Sequence, residues 1–283
     1  MTISVALPTK ERLPTAPPLP AVTRLSGLDE LPTDVLSKLW AEAWPRVDDL
    51  VTEDDTPVDN FPSAKQQRLL VESLYSSWAG PGEGRTFLAD ANVGLFYTVH
   101  QSPLVPDFFL SLDVAVAEDW WAKVHRSYFL WEFGKSPEVV IEIVSNTVGQ
   151  ETTYKLQRYA RMGVAFYVIY DPQRLVQPDV LRVYGLQAGT YLLQADGWLE
   201  QIGLGITLWE GEYEGKADRW LRWCDRAGRP VLTGAEQAEQ ERQRAEQERQ
   251  RAEAAEQRLT QEQQRVEQLL AQLRILGITP AAG

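Results

Sequence analysis

Two apolar runs, EVVIEIVSN (Glu138–Asn146) and VAFYVIYDP (Val164–Pro172), flank the helical pattern TVGQETTYKLQRYARMG. The runs are short, rich in Val, Ile and aromatic residues, and read as strands. Gly163 sits where the helix between them should stop. A strand, a short helix and a second strand in succession predict a βαβ crossover, and so a parallel neighbouring pair. Glu142 interrupts the first run. An unpaired buried charge costs several kcal/mol even after relaxation, so Glu142 needs a compensating partner.

The rest of the chain alternates around this unit. Residues 1–30 form a polar, Pro-containing arm without the apolar stretch of a secretory signal, and are expected to be disordered or extended. LPTDVLSKLWAEAW predicts a first helix, capped by Thr33 or Asp34 and closed by Pro45. After the acidic loop VTEDDTPVDNFPS, SAKQQRLLVESLYSSW predicts a second, with Ser63 as N-cap and Leu70, Leu74 and Trp78 on one stripe. GPGEG breaks it. RTFLADA, VGLFYTV and LVPDFFLSLDV read as strands. VLRVYGLQAGTYLLQADGWLEQIGLGITLWEG reads as a β-meander turning at QAG and ADG. The expectation for residues 31–233 is an α/β domain, a mixed sheet flanked by helices.

After GRPVLTG the composition shifts. Residues 234–276 repeat every seven residues, with Ala238, Ala245, Ala252, Leu259, Val266 and Leu273 in one register. Leu269 and Leu276 extend the seam three residues on. Two readings stay open: a coiled coil near Leu269–Leu276 that makes a homodimer, or a single solvated helix held by Glu/Arg pairs. Gly277 and Pro280 end the segment, leaving 277–283 as a tail. The nine Glu and seven Arg of residues 234–276 leave most of the net charge of −12 on the globular part. That acidity argues against nonspecific coating of nucleic acid, but not against a site built from carboxylates. No run of about eighteen apolar residues predicts a membrane span. Cys224 is the only cysteine, which rules out an intrachain disulfide and fits a reducing cytoplasm. The two histidines, His100 and His125, are expected at surface or packing positions, which weighs against His-rich metal sites.

In a strand, Val140, Glu142 and Val144 point one way and Val139, Ile141 and Ile143 the other. Glu142 lies near the carboxyl end, where α/β sheets place their sites. Asp107, in VPDFFLSL, is a second carboxylate at a strand start, after the ladder-breaking Pro106. Lys155, in the helix after the Glu142 strand, can emerge at the sheet rim. Asp, Glu and Lys together suit metal-assisted phosphodiester hydrolysis, with Mg²⁺ or Mn²⁺ on Asp107 and Glu142 and the ammonium facing the phosphate. On spacing alone a second reading stays open, a buried ion pair of Glu142 with Arg158 or Arg161. There is no G-x-S-x-G elbow and no P-loop.

VPDFFLSL, PEVVIEIVSN, KLQRYARMGV and FYVIYDP together resemble the Uma-type restriction endonuclease family of the PD-(D/E)XK nuclease superfamily. SAKQQRLLVESLYSSW, FLWEFGK, GLGITLWEGEYEG and the Glu/Arg-rich tail extend the resemblance over roughly residues 30–280. The resemblance implies a restriction-endonuclease-like fold, DNA as partner and a metal-dependent endonuclease activity. It puts Asp107 at the motif's Asp and Glu142 at its second acid. The superfamily's Lys position is Val144 here, and the family's Lys from the next helix is Lys155. Glu151 falls where the family often has Asp, and is expected to pair with Lys155 as an ordinary helix pair. The family often carries a His on the first core helix, where this chain has Gln66 and Gln67. Gln cannot act as a base, so a catalytically weak or inactive module that binds DNA or protein stays open beside the nuclease. Glu72 is expected on the solvated face of that helix.

Overall fold

The computed structural model describes residues 60–275 apart from 83, 148 and 149. The Pro-rich arm, the helix expected over LPTDVLSKLWAEAW and nearly all of the acidic loop lie outside the described residues, as do Leu276, Gly277 and Pro280.

The two apolar runs are strands β5 (Val139–Ile143) and β6 (Phe166–Tyr170), paired in parallel with Glu142 opposite Ile169. They sit in the middle of a six-stranded mixed sheet with β1 (Phe87–Asp90), β3 (Phe108–Leu112), β7 (Leu181–Gln187) and β8 (Thr190–Leu193), in the order β1-β3-β5-β6-β7-β8. The other pairings are antiparallel. A single crossover therefore generates the parallel step, and hairpins or longer returns build the flanks.

Side-chain alternation divides the core. Val139, Ile141 and Ile143 join Phe108, Leu110 and Val168 on one face. There they pack against helix α1 (Phe61–Ser77), through Leu70 and Leu74, and against a three-stranded sheet. That sheet is β9 (Trp198–Leu199), β10 (Leu204–Tyr213) and β11 (Lys216–Cys224). Val140, Val144, Phe109 and Ile169 face the other way. They meet Tyr159 and Met162 of helix α3 (Leu156–Met162), and Leu95 and Tyr128 from the parallel pair β2 (Leu95–Phe96) and β4 (Tyr128–Phe129), the latter followed by the one-turn helix α2 (Leu130–Phe133). The main sheet is thus covered on both faces, and any polar group in it must be satisfied internally.

Several local expectations change. The N-cap of α1 is Asn60, not Ser63: the Asn60 side chain accepts from Ser63 N at 2.9 Å. Pro62 then falls in the first turn, where a missing N–H costs nothing. VGLFYTV yields only β2, because Leu95 exchanges both backbone bonds with Leu104 and the chain folds back at once. The helix between β5 and β6 starts as a π turn, Glu151–Lys155, before α3. It stops at Gly163, whose φ of 86° lets Val164 N return to Tyr159 O at 3.1 Å. QAG does turn the chain: Ala188 and Gly189, both at positive φ, link β7 to β8. β11 extends the meander past its expected end, through a second two-residue turn at Glu214–Gly215.

Helix α4 (Gly234–Ile275) follows a capping box. Glu236 N–H donates to Thr233 Oγ1 at 3.2 Å, and Thr233 N–H donates to Glu236 Oε2 at 2.8 Å. Arg222 of β11 holds the same Glu236 bidentately at 2.6 and 2.7 Å. Beyond that staple α4 carries Glu/Arg pairs such as Glu246–Arg249 at 2.9 Å, as a solvated helix does. Leu259, Val266 and Leu269 stand exposed along it. Cys224 is a buried free thiol. Among the described residues no helix is long and apolar enough to cross a membrane.

Candidate active site

Glu142 is 1 % exposed. Phe108 pairs with Ile141 across antiparallel β3 and β5, so the next step in register sets Asp107 opposite Glu142. The Asp107 carboxylate is oriented twice: Oδ2 accepts from Ile143 N at 2.6 Å, and Oδ1 accepts from Gln67 Nε2 at 3.0 Å. Pro106 and the end of the ladder leave Asp107 room to reach across to β5.

Glu142 is held by side chains. Tyr159 OH donates to Oε1 at 2.7 Å and Lys155 Nζ donates to Oε2 at 2.8 Å. The π turn sets up the second contact. Lys155 N–H bonds back five residues to Gln150 O at 3.1 Å, and Gln150 takes a left-handed φ of 57° to begin the turn. Lys155 also lies 3.4 Å from Glu151 Oε1. The expected Glu151–Lys155 pair is therefore present, but Glu151 is buried, and its Oε2 has no hydrogen-bond partner among the described residues.

Burial pushes the Glu142 carboxyl up to about 8, with Lys155 pulling it down and Asp107 adding to the rise. Burial also pulls Lys155 down, but the Glu142 charge outweighs it and holds the ammonium above its ordinary range. The first shift favours a protonated Glu142 carboxyl, and the second a charged Lys155. Both Glu142 oxygens act as acceptors, as an ionised carboxylate requires, so the ion pair is the state consistent with the geometry. Burial raises Tyr159 and Tyr167 well above the ordinary phenol range, so both stay neutral donors.

The alternative of Glu142 pairing with Arg158 or Arg161 is not what the chain adopts. Arg158 donates to Ser102 O at 2.8 Å and to Tyr154 OH, and stacks over Tyr97. Arg161 is exposed. The two glutamines of α1 also separate. Gln66 is a backbone clamp, donating to Leu221 O at 2.8 Å and accepting from Leu221 N at 2.9 Å. Gln67 alone reaches the carboxylates. Asn92, which no spacing rule pointed to, donates to Gln67 Oε1 at 3.0 Å from a left-handed backbone. Glu72 is not simply solvated: it accepts from Tyr213 OH at 2.8 Å.

The donors fit a hard divalent cation. Asp107 and Glu142 offer carboxylate oxygens; Glu151, whose Oε1 lies 3.4 Å from the same ammonium, keeps its Oε2 buried and without a hydrogen-bond partner among the described residues. Among the described residues no group of three or more His, Cys, Asp or Glu is placed to hold a metal ion. A platform of two carboxylates is what an ion that retains several waters uses.

The mixed sheet thus sets two carboxylates and the ammonium of Lys155 at one corner. The chain belongs to the Uma2 family, described as "putative restriction endonuclease", whose model matches residues 46–203, more than half the sequence. The match ends before β10, β11 and α4, and so spans less than residues 30–280. No curated protein and no solved structure matches the chain.

Proposed function

We propose that this chain is a Mg²⁺- or Mn²⁺-dependent endonuclease that hydrolyses DNA phosphodiester bonds at a PD-(D/E)XK-type centre, with Asp107, Glu142 and Lys155 as its working residues. The observation that carries this reading is Glu142, buried on the central strand, opposite Asp107 and 2.8 Å from Lys155 Nζ. Asp107 and Glu142 would hold the cation. When bound, it supplies Lewis acidity at a phosphoryl oxygen and a more acidic water. Lys155 brings a fixed positive charge to the position where negative charge develops. Tyr159 fixes the Glu142 rotamer, and Ile143 N with Gln67 fixes Asp107, so the carboxylates need little reorganisation.

Plasmid cleavage tests it. Supercoiled DNA should be nicked with Mg²⁺ or Mn²⁺ and not with EDTA, and Asp107→Ala, Glu142→Ala and Lys155→Ala should each remove cleavage while the circular dichroism spectrum is retained. Metal-dependent cleavage that survives all three changes would sink the assignment.

One observation favours a second reading, a nuclease-fold module that binds DNA or protein without cleaving it. The side chain that touches Asp107 from α1 is an amide with no titratable proton, Gln67. That module would show no turnover with any divalent metal, and its DNA binding would survive Glu142→Ala. In this reading the exposed Leu259, Val266 and Leu269 seam assembles two copies. Sedimentation of the full chain against one ending at Gly234 separates a paired α4 from a solitary one.

A further inference from the structure

On the face of the sheet that carries Glu142, a cavity opens beyond β3. Its volume is about 380 Å³, within the range of small-molecule sites. Its floor is Phe109 and Tyr128, packed edge to face at 5.3 Å, with Phe133 stacked on Tyr128 at 4.3 Å. Phe109 follows Asp107 by two residues, roughly 7 Å along the chain. Val93, also on the wall, directly follows Asn92, which bonds Gln67. The cavity and the carboxylate corner are therefore neighbours through two separate chain segments.

The mouth is built differently. Trp120 and Trp121, 58 % and 71 % exposed, stand there with rings 5.7 Å apart. Their loop is tied to itself: Arg126 Nε donates to Trp121 O at 2.9 Å, and His125 Nδ1 meets Asp119 O at 2.6 Å. Two large indoles held out in water by a braced loop are costly unless something covers them. The loop's charges balance, Glu118 and Asp119 against Lys123 and Arg126, so it offers aromatic faces rather than attraction to phosphate.

The geometry points to a nucleobase subsite: the cavity takes an unstacked base next to the phosphate that a cation on Asp107 and Glu142 would hold, with Trp120 and Trp121 stacking on it. This rests on the phosphodiesterase reading above. Aromatic faces accept any base without reading its hydrogen-bonding edge, so the subsite selects unstacked over paired nucleotides rather than a sequence. Its share of binding should also depend little on salt, because counterion release comes from phosphate contacts.

The test is fluorescence anisotropy of the full-length protein in EDTA, with a labelled single-stranded oligonucleotide, its duplex, and a base-free strand of the same length. Wild type should bind the single strand about ten-fold or more tighter than the base-free strand. Trp120→Ala with Trp121→Ala should remove that preference, a loss of roughly five- to a hundred-fold, while Trp120→Phe with Trp121→Phe restores most of it. Equal binding of the base-free strand, an alanine variant that binds as wild type does, or no binding of any strand would each overturn the subsite, the last two leaving the indoles to a protein partner. Plasmid nicking by wild type, measured separately, reports on the phosphodiesterase reading: nicking without a base preference removes the subsite alone.

Discussion

Glu142 and Asp171 are carboxylates at the ends of neighbouring parallel strands, 1 % and 0 % exposed, yet they are held in opposite ways. Asp171 accepts three backbone N–H groups, from Leu175, Val176 and Gln177, at 2.8, 2.8 and 3.1 Å. It closes the loop after β6 and leaves its charge nothing to do beyond that turn. Glu142 accepts only from side chains, a phenol and an ammonium, with a second carboxylate opposite. A carboxylate bound wholly by backbone is fixed by the turn it closes. One bound by side chains can trade those partners for a ligand, which is what the proposed role asks of Glu142.

The widest separation of the two should come from activity. Asp107→Ala or Glu142→Ala should lower metal-dependent plasmid nicking per folded molecule by about 10²- to 10³-fold or more, although Glu142→Ala also strips Lys155 of its buried partner and lowers stability. Asp171→Ala should do the reverse. Leaving three N–H groups unanswered should cost about 3 kcal/mol or more by urea titration, while nicking per folded molecule stays near wild type. Loss of nicking in the Asp171 variant at full folding would erase the distinction.

The adjacent glutamines sharpen the same contrast on a smaller scale. Gln66→Ala strands both backbone groups of Leu221 and should cost about 2 kcal/mol of stability. Gln67→Ala should cost under about 1 kcal/mol, and should change the nicking rate more than the melting curve. A comparably small effect belongs to Glu236. Burial pushes its carboxyl up, but Arg222 and the Thr233 N–H outweigh that and hold it below the ordinary range. A depressed carboxylate contributes fully above its unfolded pKa, about 4.3, and loses the contribution as pH falls through the lower folded value. Glu236→Gln should therefore destabilise by about 1 kcal/mol at pH 7, with the gap closing below about pH 4. A gap that widens on acidification would reverse the sign.

Much of this was legible in the chain. The two Val- and Ile-rich runs fix β5, β6 and their parallel pairing because a short helix between strands allows little else. The alternation across Val139–Val144 divides the two core faces correctly. Glu142 marks its own location, since a charge among β-branched residues demands a partner, and Lys155 was within reach. What stayed hidden needs tertiary contact. Gln66 and Gln67 are consecutive and both buried, and only the placement of β11 and Asp107 tells clamp from site. Asn92 looks like any loop asparagine until Gln67 meets it. The π turn leaves no mark in the hydrophobic period. The capping box was different: T-x-x-E at Thr233–Glu236 is written openly before the repeat.

The wide turn at Glu151–Lys155 makes the place of Glu151 a matter of one codon. Deleting a single residue between the two would return the turn to an ordinary four-residue step and swing the chain before it, Glu151 included, by about 100° around the axis. Lys155 runs directly into the helix that carries Tyr159 and stops at Gly163, so it would keep its hold on Glu142. A lineage carrying this fold could in that way move one carboxylate away from the ammonium in one event, with the sheet untouched.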